Sequence, residues 1–63
     1  MIVEFWANGG KKPTDKIAEM NLDYVPQLSD IIWLGEPDPN RYVVSYRDFV
    51  LRGEILIACI ILR

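Results

Sequence analysis

The run Ile55-Leu-Ile-Ala-Cys-Ile-Ile-Leu62 constrains this chain more than any other feature. It covers eight residues between Glu54 and Arg63, whereas a helix that crosses a bilayer needs about 20 apolar residues. The run therefore reads as a strand and not as a membrane anchor. Side chains alternate across a pleat, so a strand that is apolar at every position is covered on both faces. One cover is the core. The other is a further part of the chain or a second molecule.

A chain of 63 residues buries only about 60 % of the surface it exposes when unfolded, which is enough for one core. We therefore read residues 1–63 as one domain. Hydrophobic residues make up 51 % of the chain, more than so small an interior absorbs, and part of the surplus is expected to face a partner. The N-terminus does not read as a signal peptide, because Glu4 and Asn8 interrupt its apolar stretch. A single cysteine, Cys59, leaves no intramolecular disulfide and suggests a reducing, cytoplasmic setting.

Four further strands are expected. Residues 2–7 are rich in β-branched and aromatic types and end in Asn8-Gly9-Gly10; alternation puts Val3, Phe5 and Ala7 on the core side and Ile2, Glu4 and Trp6 opposite. Over 14–23 two readings compete. Thr14 caps a short helix, or 16–22 forms a strand with Ala18, Met20 and Leu22 inward. After Pro26 and Ser29, residues 30–34 form a strand that ends at Gly35, with Ile32 and Leu34 inward and Ile31 and Trp33 outward. Residues 41–51 are long for one flat strand, so a bend or bulge is expected near Arg47 and Asp48. Tyr42, Val44 and Tyr46 are expected to share its inner face. Gly53 supplies the turn into the last strand, 54–62.

Short strands joined by Gly- and Pro-rich turns imply an antiparallel meander. A sheet this small avoids exposed edges by curling into a barrel. The fold class is thus mostly β, a small five-stranded antiparallel barrel. The segment Ile17-Ala18-Glu19-Met20-Asn21-Leu22, then Val25-Pro26-Gln27-Leu28-Ser29-Asp30, Ile32-x-Leu34 and Tyr42-x-Val44 resembles a pattern of small uncharacterised bacterial and phage proteins. In these a strand, a Val-Pro-x-x-Gly-Asp turn, a strand and a Tyr-x-Val strand follow one another. The resemblance covers residues 17–46 and implies an SH3-like barrel; it carries no assigned activity. Ser29 departs from the pattern, standing where glycine is usual. The peptide-binding signature of eukaryotic signalling SH3 domains is absent, so proline-rich ligands are not implied.

Little in the chain suggests chemistry. It has no histidine, the usual general acid–base, and Cys59 sits in the apolar run where an inert buried thiol is expected. Asp30, Glu36 and Asp38 lack calcium-loop spacing. The run Gly9-Gly10-Lys11-Lys12-Pro13-Thr14 lacks the spacing of a phosphate loop and reads as a solvated basic turn. No catalytic residue, metal site or cofactor is expected. Seven Lys and Arg against nine Asp and Glu, a formal charge of −2, disfavour nucleic acid as a partner.

The aromatic residues carry the remaining signal. Trp6, Tyr24, Ile31 and Trp33 are the candidate partner-binding residues, since Trp and Tyr bury a large area with few rotatable bonds; covering the barrel's own loops is the alternative use. The leading expectation is a non-enzymatic protein-binding module that forms a homodimer through the outer face of the last strand with Trp33 or Trp6. The alternatives are a small phage-encoded inhibitor that docks on a host protein, a virion or assembly component, and a single-stranded nucleic-acid binder.

Overall fold

The computed structural model describes residues 1–8 and 13–63, with the backbone alone for Asn8, Pro13 and Thr14. The basic turn at Lys11 and Lys12 lies outside the described residues. Five strands follow in chain order: β1 (Ile2–Asn8), β2 (Pro13–Asn21), β3 (Ile31–Leu34), β4 (Asn40–Arg52) and β5 (Ile55–Leu62). The ambiguous segment is a strand, and it begins earlier than its alternation suggested.

The strands form one sheet in the order β2-β1-β5-β4-β3. This corrects the antiparallel meander. β1 pairs β5 in parallel, Val3 beside Ala58 and Phe5 beside Ile60, while the other three pairings are antiparallel. The physical reason lies in β5 itself. A strand apolar on both faces belongs in the middle of a sheet, and β1, apolar at every position from Ile2 to Ala7 but Glu4, takes the place beside it.

The sheet curls so far that its two end strands, β2 and β3, face each other across a cleft lined by Ile17, Met20, Trp33, Leu34 and Pro37. The result is an all-β, nearly closed barrel-like sheet. Its interior holds Val3, Phe5, Val44, Ala58, Ile60 and Leu62, with Ala18, Met20, Ile32, Leu34 and Tyr42 packed against them. Each large apolar side chain buried there contributes roughly 1.5–3 kcal/mol. The inward assignments for β1, β2 and β3 match this core.

Tyr46 does not. The bulge in β4 falls between Val44 and Tyr46, ahead of the Arg47-Asp48 pair where the sequence suggests it. One extra residue reverses the alternation, so Val44 is buried and Tyr46 is 61 % exposed. The same point is pinned from the other side. Val44 donates its N–H to the Asp30 carbonyl and accepts from the Ser29 N–H, both at 2.9 Å, while Asp30 Oδ2 accepts from the Gln27 N–H.

Ser29 lies at φ +73°, in the left-handed region where glycine is at ease and an L side chain is strained by roughly 1 kcal/mol or more. The position where the resembling pattern carries glycine thus has a glycine-like backbone. Gly53, at φ +62°, opens the two-residue turn between β4 and β5, as hairpins of this length require.

Candidate functional site

Two regions of the sheet's outer surface concentrate side chains that the core does not explain. The first centres on Glu4. Parity directs this carboxylate away from the core, yet it is only 1 % exposed. Register accounts for the burial. Glu4 lies between Glu19 of β2 and Cys59 of β5, and two long cationic side chains close over it from either side. Lys16 of β2 reaches Oε2 at 3.1 Å. Arg52 of β4 reaches the same oxygen at 2.9 Å, with β5 in between. The Arg52 side chain therefore crosses the outward face of β5.

The other carboxylate oxygen is also occupied. Trp6 Nε1 donates to Oε1 at 3.2 Å, and the Cys59 thiol donates to it at 3.6 Å. Lys16 also pairs with Glu19. Burial acts to raise the Glu4 pKa. Hydrogen bonds from Lys16 and Trp6, with the charge and hydrogen bond of Arg52, outweigh it and hold the carboxyl at about 2. Burial, followed by the adjacent Glu4 charge, pushes the Cys59 thiol up. The carboxylate is thus held ionised by four donors, and the thiol beside it is held protonated.

These contacts also settle what covers β5. Ile57, Cys59 and Ile61, its outward side chains, are 6 %, 8 % and 5 % exposed. Glu4, Trp6 and Arg52 provide the cover from within the chain, so of the two covers the sequence allows for this face the chain itself supplies the one over Ile57, Cys59 and Ile61. A shallow hollow remains over Cys59 and Ile61, rimmed by Trp6, Asp48 and Val50.

The second region is the far part of the β4–β5 hairpin. β4 has thirteen residues, but β3 has only four, and β3 pairs with Asn40–Val43 alone. Beyond Val44 the side of β4 that faces away from β5 has no strand beside it among the described residues. From Tyr46 to Val50, β4 is an edge strand beside the buried Ile57–Ile61, and from Leu51 to Leu56 the tip of the hairpin continues past the residues that β1 pairs. The apolar side chains of this arm, Tyr46–Leu56, stand out on both faces: Tyr46 61 %, Phe49 48 %, Val50 38 %, Leu51 67 %, Ile55 55 % and Leu56 45 % exposed. Leu28, from the turn clipped to Val44, joins Tyr46, Arg47 and Phe49 in a shallow groove beside the open edge. The Arg47 guanidinium lies 5.9 Å from the Phe49 ring centroid.

The four residues singled out by sequence do not converge. Ile31 and Trp33 stand side by side on the outward face of β3, 52 % and 61 % exposed. Tyr24, 66 % exposed, lies in the connection between β2 and β3. Trp6 is half-buried and engaged with Glu4. The residues missed are those of the arm. Their signal was present in the consecutive Phe49-Val50-Leu51, apolar on both faces in a strand more than three times as long as the one it follows.

Among the described residues no group of three or more His, Cys, Asp or Glu is placed to hold a metal ion, and no helix is long and apolar enough to cross a membrane. Comparison with protein-family models, with curated proteins and with solved structures gives no match to this chain.

Proposed function

We propose that this chain is a non-enzymatic protein-binding module that acts by contact and self-associates through the hairpin arm Tyr46–Leu56. The observation that carries the reading is a run of exposed apolar side chains on both faces of a hairpin whose β4 edge has no strand beside it beyond Val44 among the described residues. Contiguous exposed apolar surface of this kind marks interaction sites in small proteins. A lone buried thiol suits a reducing, cytoplasmic setting. Sedimentation at micromolar concentration tests the proposal: the expected mass is a multiple of 7.3 kDa, and a monomer throughout would rule self-association out.

A second reading draws on Ile31 and Trp33. Exposed together on the short end strand β3, they form an anchor for a different protein, as a small phage-encoded inhibitor of a host protein would need. In that case Trp33→Ala abolishes capture of the partner and leaves the mass of the purified chain unchanged.

A further inference from the structure

Every described cationic side chain but two is engaged within the fold. Lys16 and Arg52 pair with Glu4, and the Arg47 guanidinium lies over the Phe49 ring. Arg41 and Arg63 form no ion pair among the described residues, and both are exposed. Register places them on one face with Ile31 and Trp33. Directly opposed residues of an antiparallel pair share a face: Trp33 stands opposite Arg41, and Ile31 opposite Val43. Val43 and Arg63 exchange both backbone hydrogen bonds, each at 3.0 Å, so Arg63 flanks Val43 on the side away from Ile31. Tyr46 follows on the same outward face, opposite Ile61, and lines a shallow hollow with Arg63, Ser45 and Leu28.

We propose that this face binds a short acidic segment of a different protein, with an apolar side chain of the segment against Ile31 and Trp33 and its carboxylates on Arg41 and Arg63. The proposal rests on the second reading above and names the chemistry of its partner. Charge selects the occupant. In a chain of net charge −2, the outward positions of β3 and of β4 from Arg41 to Tyr46 carry an arginine and no carboxylate, and the Arg63 side chain lies beside them. The planar guanidinium fork matches a carboxylate with two parallel hydrogen bonds. Exposed Trp33 and Ile31 supply the apolar anchor between the two charges.

The ends of the face restrict the partner further. Asp48 is the next outward residue of β4 beyond Tyr46, and Glu36 lines the neighbouring cleft with Trp33. A nucleic-acid strand carries a phosphate at every nucleotide and would run into these carboxylates. A segment with a few acidic residues fits between them, and like charges at the ends fix its placement.

Selection from a displayed library of random peptides tests the proposal. The wild-type chain is expected to enrich peptides in which Asp or Glu flanks an apolar residue, and a peptide so selected is expected to bind more weakly as sodium chloride is raised. Arg41→Glu and Arg63→Glu are each expected to lower the affinity for that peptide roughly 10-fold, and Trp33→Ala roughly 30-fold. The double reversal is expected to enrich basic peptides instead. Circular dichroism checks that each variant is folded. Should a reversal fail to fold, Arg41→Gln and Arg63→Gln take its place, with weaker binding and a shallower salt dependence expected. Enrichment of neutral apolar peptides that bind the arginine variants fully and Trp33→Ala weakly overturns the acidic chemistry and leaves the anchor standing. A wild-type chain that enriches nothing overturns both. A fluorescent oligothymidine that binds more tightly than the selected peptide assigns the face to nucleic acid and overturns the proposal as well.

Discussion

The Glu4 end of the sheet and the hairpin arm use the same two strands, β4 and β5, and differ in what stands beside them. Around Glu4, β5 lies between β1 and β4, and every outward apolar side chain from Ile57 to Ile61 is covered. In the arm, Ile55 and Leu56 of β5 lie past the residue where β1 pairing begins, at Ile57, and β4 has lost β3. Similar apolar residues are thus buried in one place and exposed in the other. Composition does not decide this; the number of neighbouring strands does. The covered end has a strand on each side of β5, and the proposed contact falls where β4 and β5 have lost theirs.

Truncation breaks the comparison most sharply. Phe5→Ala removes a ring that is 1 % exposed and is expected to destabilise the fold by about 3–5 kcal/mol. Leu51→Ser, in the arm, is expected to change monomer stability by no more than about 0.5 kcal/mol. Urea denaturation of both variants reads the contrast, and equal losses would mean that the arm belongs to the core.

The covered end also carries an acid dependence. The folded-state pKa of Glu4 lies at about 2, below its ordinary 4.5. Its contribution is therefore complete above pH 4.5 and is lost as the pH falls from there through about 2, because the unfolded chain takes up the proton first. Glu4→Gln is expected to remove on the order of 1–3 kcal/mol at pH 7 and to flatten the acid limb of stability between these values. A smaller effect is expected at the turn that clips Val44. Ser29→Gly relieves the left-handed strain and should raise stability by about 0.5–1 kcal/mol, measured as a shift in the denaturation midpoint.

How much of this was legible from sequence depends on the element. β1 and β3 could be placed from their β-branched and aromatic runs and their inward residues from alternation, because period-two patterning acts locally. The parallel pairing of β1 with β5 could not be read from loop lengths, which suggest neighbours in sequence; the two-faced apolarity of β5 was the better guide. Tyr46 was misassigned because a bulge two residues from the polar pair that hints at it reverses every later side chain. Burial of Glu4 was hidden for another reason: its cations lie 12 and 48 positions away in the chain, and only the strand order brings them together. Trp33 and Ile31 are exposed as expected, whereas Trp6 is engaged within the fold.

Hydrogen exchange of the backbone amides at two protein concentrations tests the central contrast most directly. The β1 and β5 amides around Glu4 are predicted to be protected equally at both. The outward amides between Tyr46 and Arg52 are predicted to be protected at high concentration and to exchange freely on dilution. Arm amides whose exchange is the same at both concentrations, over a range that spans dimer and monomer, would contradict the account.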